Sequence, residues 1–369
     1  MKKSLLAIAV LGAVSSVSFA QTNVTVYGTI DTAVRSITNA SADGGRQVSL
    51  ENGIFEGSRL GFKGKEDLGG GTLAVFDLEA GFGSTTGQLD QQGQLFGNQA
   101  WIGLKDQYWG EIDAGRQYGL AYQTMGTYAP LGRGVATEQG HAAEVAWQTG
   151  LYGERFNNSL EYTKSIGPFT GKAQYSFGGV AGATSVGSTG AGALTYEEGP
   201  ISVGGVYQQS KDANSNQLKV WGLGSSYNVG PATLFLSYFE AKRDPGFAAA
   251  SNQTGGALYS TSLIANANTL LQRKDDVWTT GFTFQQTQAL NYTLGYMHDK
   301  VKDETDFGTN GRVSTVYAVA DYSFSKRTDV YAEIDHTTLG GGEVDNSDVL
   351  SIPGGSGRTG VSTGLRLKF

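Results

Sequence analysis

Charged residues two apart recur along this chain: Asp77 and Glu79, Glu333 and Asp335, Arg366 and Lys368. Positions i and i+2 share one face of a β-strand. Each pair is then a small fixed field, suited to attracting or repelling ions at a wet surface. Arg155 and Glu161 stand in a similar pattern. For bond-making chemistry there is much less. The histidines are His141, His298 and His336, each far from the others in sequence, whereas an activated nucleophile needs a base within hydrogen-bond reach. Asp345-Asn346-Ser347-Asp348 is rich in oxygen but lacks the ligand spacing of a calcium loop, so loop 339–358 reads as solvated. Gly178 to Gly192 is rich in glycine without the Lys-Ser/Thr end of a phosphate cradle. The chain has no cysteine, which rules out thiolate metal sites and disulfides. No metal, cofactor or catalytic group is expected.

The elements that position these charges are clearest at the C-terminus. Val361, Leu365, Leu367 and Phe369 alternate with Ser362, Gly364, Arg366 and Lys368, the period of a strand with one apolar and one wet face. Such a strand needs partners on both edges, which a closed barrel provides. The other terminus has a basic start (Lys2, Lys3), a short apolar run and Ser18-Phe19-Ala20. That is the pattern of a cleaved secretory signal over 1–20, leaving 21–369 as one domain of 369 − 20 = 349 residues. Removing the two lysines takes the formal charge from −7 to −9, which argues against nucleic acid as a partner. No later apolar run is long enough for a transmembrane helix.

Alternation recurs from end to end. Val24, Val26, Ile30 and Val34 oppose Thr25, Thr29, Asp31 and Arg35; Leu60 and Phe62 oppose Arg59, Lys63 and Lys65. Further strands are expected over 72–82 and near 96–104, 110–117, 155–164, 169–178, 190–198, 200–209, 217–228, 231–242, 276–287, 289–300, 312–324, 327–338 and 359–369, about sixteen in all. Short connections such as Gly199-Pro200 alternate with long ones over 36–57, 84–95, 118–154, 243–275 and 339–358. Short turns at one rim and long loops at the other is the outer-membrane barrel pattern, and ~16 strands enclose water. Strand by strand, a soluble sandwich reads the same. Aromatics near strand ends (Tyr27, Tyr175, Phe177, Tyr227, Tyr238, Tyr322, Phe324, Phe369) resemble interfacial girdles and favour the barrel. The expected fold is all-β, a transmembrane antiparallel barrel.

Val24 to Gly28, Ser58 to Gly71, Ala100 to Leu104, Gly115 to Tyr118, Arg155 to Ser159 and the terminal Phe369 resemble the general porins of Gram-negative bacteria, in their betaproteobacterial branch (Neisseria, Bordetella, Burkholderia). The resemblance implies a homotrimer in the outer membrane, in contact with its lipid and lipopolysaccharide. It implies a water-filled channel for passive diffusion of ions and small hydrophilic solutes. The third long loop, 118–154, would fold inwards, carrying Arg133, Glu138, Glu144, Glu154 and His141. Arg59 and Arg155 match two members of the family's wall arginines. With Arg133 and Glu138 they would form the constriction, and Arg35, Lys63, Asp77, Glu79, Gln99 and Glu161 would line the pore. Phe369 would be the signal read by the barrel assembly machinery. Relatives carry arginine just before the Ala100-Trp101 segment, where this chain has Phe96-Gly97-Asn98-Gln99. Ion preference is therefore open. An outer-membrane barrel protease or lipase, and a secreted β-rich adhesin, are the alternatives.

Overall fold

The computed structural model describes residues 23–132, 150–248, 268–346 and 352–369. In chain order the strands are β1 (Asn23–Ile37), β2 (Gln47–Asn52), β3 (Arg59–Gly69), β4 (Thr72–Gly81), β5 (Gln99–Asp106), β6 (Gly110–Tyr118), β7 (Arg155–Ile166), β8 (Phe169–Ser176) and β9 (Thr189–Glu198). There follow β10 (Ile201–Lys211), β11 (Gln217–Val229), β12 (Ala232–Arg243), β13 (Arg273–Gln285), β14 (Leu290–Lys302), β15 (Gly311–Ser323), β16 (Thr328–Gly341) and β17 (Gly357–Lys368). Every neighbouring pair is antiparallel, and β17 closes on β1 with Lys368 opposite Thr29. The expected signal segment and the loop residues Arg133 and Glu138 lie outside the described residues.

Seventeen segments make sixteen wall positions, because β2 and β3 share one edge of β1. Residues 47–52 pair with the upper half of β1 and residues 59–65 with its lower half. Between them, Gly53 to Ser58 leaves the sheet. The ladder bonds lost by Asp31 are replaced: its N–H donates to Ser58 Oγ at 3.0 Å and its carbonyl accepts from Gly53 N at 3.0 Å. Its carboxylate accepts from Phe55 N and Glu56 N at 3.0 and 2.6 Å. Strand β2 lies inside the expected loop 36–57; its short apolar alternation at Val48 and Leu50 was the available signal.

Short turns follow from chemistry. Gly167-Pro168, Gly199-Pro200 and Gly230-Pro231 each join two strands, with the glycines at φ 57°, 59° and 57°. Glycine at the first central position, where φ is positive, is the hairpin turn that matches strand twist. On the outer face stand Val24, Val26, Ile30, Val34, Leu223, Leu236 and Leu294, each more than a third exposed. A soluble core would not leave so many large apolar side chains in water, whereas lipid accepts them.

The inner face is divided. On β10 to β15 it carries an apolar patch, in which Val206, Leu218, Val220, Phe239, Val277, Met297 and Val313 pack with Leu120, Tyr122, Met125, Leu151 and Phe156 into a buried cluster inside the barrel, beside a buried charged group in which Asp275 pairs with Arg243 and Arg273. The helix Leu120–Thr127 lies against this wall. Glycines leave it room: a Cβ on Gly224 would fall 2.2 Å from the Tyr128 ring, and one on Gly222 2.6 Å from Met125 Sδ. The lumen is thus filled against these strands, and polar side chains line it on the side of β1, β3 to β8, β16 and β17.

Candidate pore constriction

Cross-strand register gathers the wall charges. Lys63 stands opposite Asp77, and Gly61 opposite Glu79, on adjacent strands. Gln99 stands opposite Glu79 in turn. With Arg59, Tyr27, Tyr118, Tyr122 and Gln123 these side chains line one cavity of about 430 Å³. The three last come from the end of β6 and from the inward helix, so wall and loop face each other across it.

The charges are paired in a chain. Lys368 Nζ lies 3.1 Å and Arg366 Nη1 2.9 Å from Glu56 Oε2. Glu56 in turn holds Arg59, whose Nε is 3.4 Å from Glu79 Oε2. The Tyr27 hydroxyl lies 2.6 Å from Asp77 Oδ1 and 3.0 Å from Glu79 Oε2, and Lys63 Nζ sits 4.8 Å above its ring. Among the described residues, two cations (Arg59, Lys63) and two carboxylates (Asp77, Glu79) line the cavity, a formal sum of zero.

Several residues depart from expectation. Tyr27 is no girdle residue: it shares the inner face with Thr29 and Asp31, as the alternation of β1 requires. Arg35 also faces inwards but is fully buried, with Nη2 2.7 Å from Asp335 Oδ2 and Nη1 donating to Ser362 Oγ at 2.7 Å. It is correspondingly withdrawn from the open lumen. Breaking such a buried pair costs ~3–5 kcal/mol, a structural role. Glu161 is buried too, accepting from Gln123 Nε2 and Gln174 Nε2, each at 2.9 Å, and from Lys172 Nζ at 3.0 Å. Since Lys172 also reaches Gln123 Oε1 at 2.6 Å, this group ties the inward helix to β7 and β8. Arg155 is buried, pairs with Glu154, stacks 4.7 Å over the Tyr118 ring and donates to its hydroxyl at 3.1 Å. Tyr118 thus stands between Arg155 and the cavity that holds Arg59.

Among the described residues that line the cavity, no cation besides Arg59 and Lys63 replaces the arginine missing at 96–99. Asn98 donates to Glu79 Oε1 at 3.0 Å, and Gln99 accepts from Trp101 Nε1 at 3.1 Å. Arg116 turns elsewhere, to the Gly97 carbonyl and Asn157 Oδ1 at 2.7 Å each. Sequence reasoning also missed Glu56, Gln123 and Lys172. Gln123 and Lys172 follow the alternation or the loop but need three-dimensional pairing to be noticed.

A closed barrel with a lipid-compatible outer face and a wet, charged, narrowed lumen defines a channel protein of the outer-membrane type. The chain belongs to the Gram-negative porin family, whose model matches residues 7–342. An outer membrane porin protein of Bordetella pertussis is 35% identical over 271 residues, 64% of this chain and 69% of the relative. Outer membrane porin protein 32 of Delftia acidovorans is 29% identical over 398 residues, covering 100% of both chains. Among solved structures, an anion-selective porin from Comamonas acidovorans superposes with a TM-score of 0.71 over 95% of this chain and 100% of that one, at 23% identity, a likeness of fold. The protein is a porin channel of the Gram-negative outer membrane.

Proposed function

We propose that each protomer passes ions and small hydrophilic solutes through the polar sector of the barrel, and that the narrow point lies between Tyr118, Tyr122 and Gln123 and the wall of Arg59, Lys63, Asp77, Glu79 and Gln99. The observation that carries this is the shared cavity, where loop and wall side chains meet. Rejection by size comes from the width between helix and wall. Bias by charge comes from the four fixed charges, and their balance gives weak selectivity. The arrangement differs from an arginine-dominated wall in that Arg155 is shielded by Tyr118 and Glu154.

The working unit is a homotrimer, in keeping with porin neighbours such as the trimer form of OmpT from Vibrio cholerae, TM-score 0.65 at 14% identity. Residues 1–20 act as the export signal and Phe369 as the assembly signal. The protein performs no catalysis. On the outer face His298 Nδ1 lies 2.8 Å from Ser314 Oγ, a nucleophile–base pair in outline. Among the described residues no carboxylate orients that imidazole, as a hydrolase would require.

Planar-bilayer recording of purified protein in a salt gradient tests the reading. Stepwise conductance in groups of three, with a reversal potential near zero, is expected. Folded protein that gives no steps would refute the channel, and a strongly anionic or cationic reversal potential would refute the balanced constriction.

A further inference from the structure

Glu161 on β7 is not among the residues that line the cavity, yet the loop side of the narrow point is tied to it. Its buried carboxylate accepts from Gln123 Nε2 and Gln174 Nε2 on Oε2, each at 2.9 Å. On Oε1 it accepts from Lys172 Nζ at 3.0 Å and from Thr163 Oγ1 at 3.4 Å. The lone pairs of both oxygens are thereby used. The same two amides hold the Tyr118 carbonyl, Gln123 Nε2 at 2.9 Å and Gln174 Nε2 at 2.8 Å. Lys172 Nζ closes the group by donating to Gln123 Oε1 at 2.6 Å.

These bonds fix which way Gln123 faces. Its amide nitrogen spends one proton on Glu161 and the other on the Tyr118 carbonyl, and its oxygen gives a lone pair to Lys172. What it can show to the path is its aliphatic stem and one remaining lone pair. An amide free to turn would offer donors as well. Tyr118 is held by its carbonyl, and Tyr122 stacks on its ring with centroids 5.0 Å apart. Tyr118, Tyr122 and Gln123, the loop side of the cavity, thus take their places from one carboxylate.

The loop has other holds. Gly119 N donates to the Glu154 carbonyl at 2.9 Å, which closes its neck. Gln208 on β10 accepts from Ala121 N at 3.3 Å and donates to the Tyr152 carbonyl at 2.5 Å. Met125 lies in the apolar cluster. Loss of the Glu161 group would therefore leave the helix inside the barrel and free only the side chains at the narrow point. Charge adds a second consequence. Glu161 and Lys172 sum to zero, so together they bias the path little. Either one alone would stand one carboxamide behind the lining, ~8 Å from a passing ion and within the Debye length of ~10 Å in 0.1 M salt.

We propose that Glu161 and Lys172 are the positioning pair of the constriction. They act through Gln123 and Tyr118, fix what the loop presents to a solute, and cancel each other's charge there. The assignment rests on the narrow point proposed above.

Planar-bilayer recording of the purified assembly tests it on wild type, K172M, E161M, K172M/E161M and K172R, with reversal potential and open-channel noise as readouts. K172M leaves the carboxylate alone and should move the permeability ratio about twofold towards cations; E161M should move it as far towards anions. The double variant should return to the wild-type potential but keep a raised open-channel noise, because Gln123 is then free to turn. K172R should match the wild-type potential. Unchanged potentials in both single variants would overturn the proposal, and so would a double variant as quiet as wild type. If a lone buried charge keeps a single variant from folding, the double variant, which leaves none, still decides by its noise. Wild-type protein that gives no steps would refute the channel itself, whereas steps that ignore these substitutions refute only the pair.

Discussion

Arg59→Gln removes one of the two cations that line the proposed constriction among the described residues and leaves the two carboxylates there. An ion passing ~5 Å from the lost guanidinium loses an interaction of ~0.8 kcal/mol at the dielectric of water, reduced to ~0.5 by screening in 0.1 M salt. A cation gains what an anion loses, so the permeability ratio moves by a factor of ~5 towards cations. From a balanced wild type, that factor shifts the reversal potential by about 30 mV in a tenfold KCl gradient. The fold should survive, because Glu56 keeps Arg366 at 2.9 Å and Lys368 at 3.1 Å, and Glu79 keeps Tyr27 at 3.0 Å. Bilayer recordings of wild type, Arg59→Gln and Arg59→Lys decide the matter. The lysine variant keeps the charge and should stay near wild type. A glutamine variant with the wild-type reversal potential would refute the placement of Arg59 at the narrow point.

Three further outcomes are expected. Gly224→Val places a methyl-bearing carbon where Cβ would meet the Tyr128 ring at 2.2 Å; it should cost ~1–3 kcal/mol, push the inward helix off its wall towards Arg59 and lower the size limit for sugars in liposome swelling, whereas an unchanged size limit would mean that the loop does not set it. Phe369→Ala leaves the terminal backbone pairing with Gly28 (3.1 Å each way) but removes the ring packed on that glycine. Refolding in detergent should persist while the heat-modifiable folded band in membranes falls, and equal bands would remove the assembly role. In the loop between β14 and β15, Asp306 accepts from the Leu270 and Thr269 backbone N–H groups at 2.9 and 2.6 Å. These bonds, Leu270 first, hold its carboxyl below the usual carboxylate range. A depressed acid stabilises above its unfolded pKa of ~3.9 and loses that contribution as pH falls through the folded value. Protection of the Leu270 amide against hydrogen exchange should therefore be full at neutral pH and lost in acid below ~4; pH-independent protection would refute the latch.

Alternation carried most of the wall into view, because residues two apart must face the same way whatever the strand pairs with. It also placed Tyr27 correctly, on the face of Thr25 and Thr29, and the girdle expectation for it ignored that parity. The strands β9 to β14 carried a further sign. Val203 and Val206, or Trp221 and Val220, are apolar on opposite faces, and a wall apolar on both sides needs something greasy within the barrel as well as lipid outside.

What the chain determined alone is the set of strands, their inward and outward faces, the Gly-Pro hairpins and the closure through Phe369, since each depends on local conformation and period. Which inward charges meet water was decided only by tertiary structure. Arg35 and Arg59 lie on neighbouring strands with the same parity, yet one is sealed against Asp335 and the other opens on the cavity. The difference comes from register and from where the inward loop settles. Both are fixed by contacts hundreds of residues apart, such as Arg35 with Ser362 and Arg366 with Glu56, and no local pattern encodes a meeting of that kind.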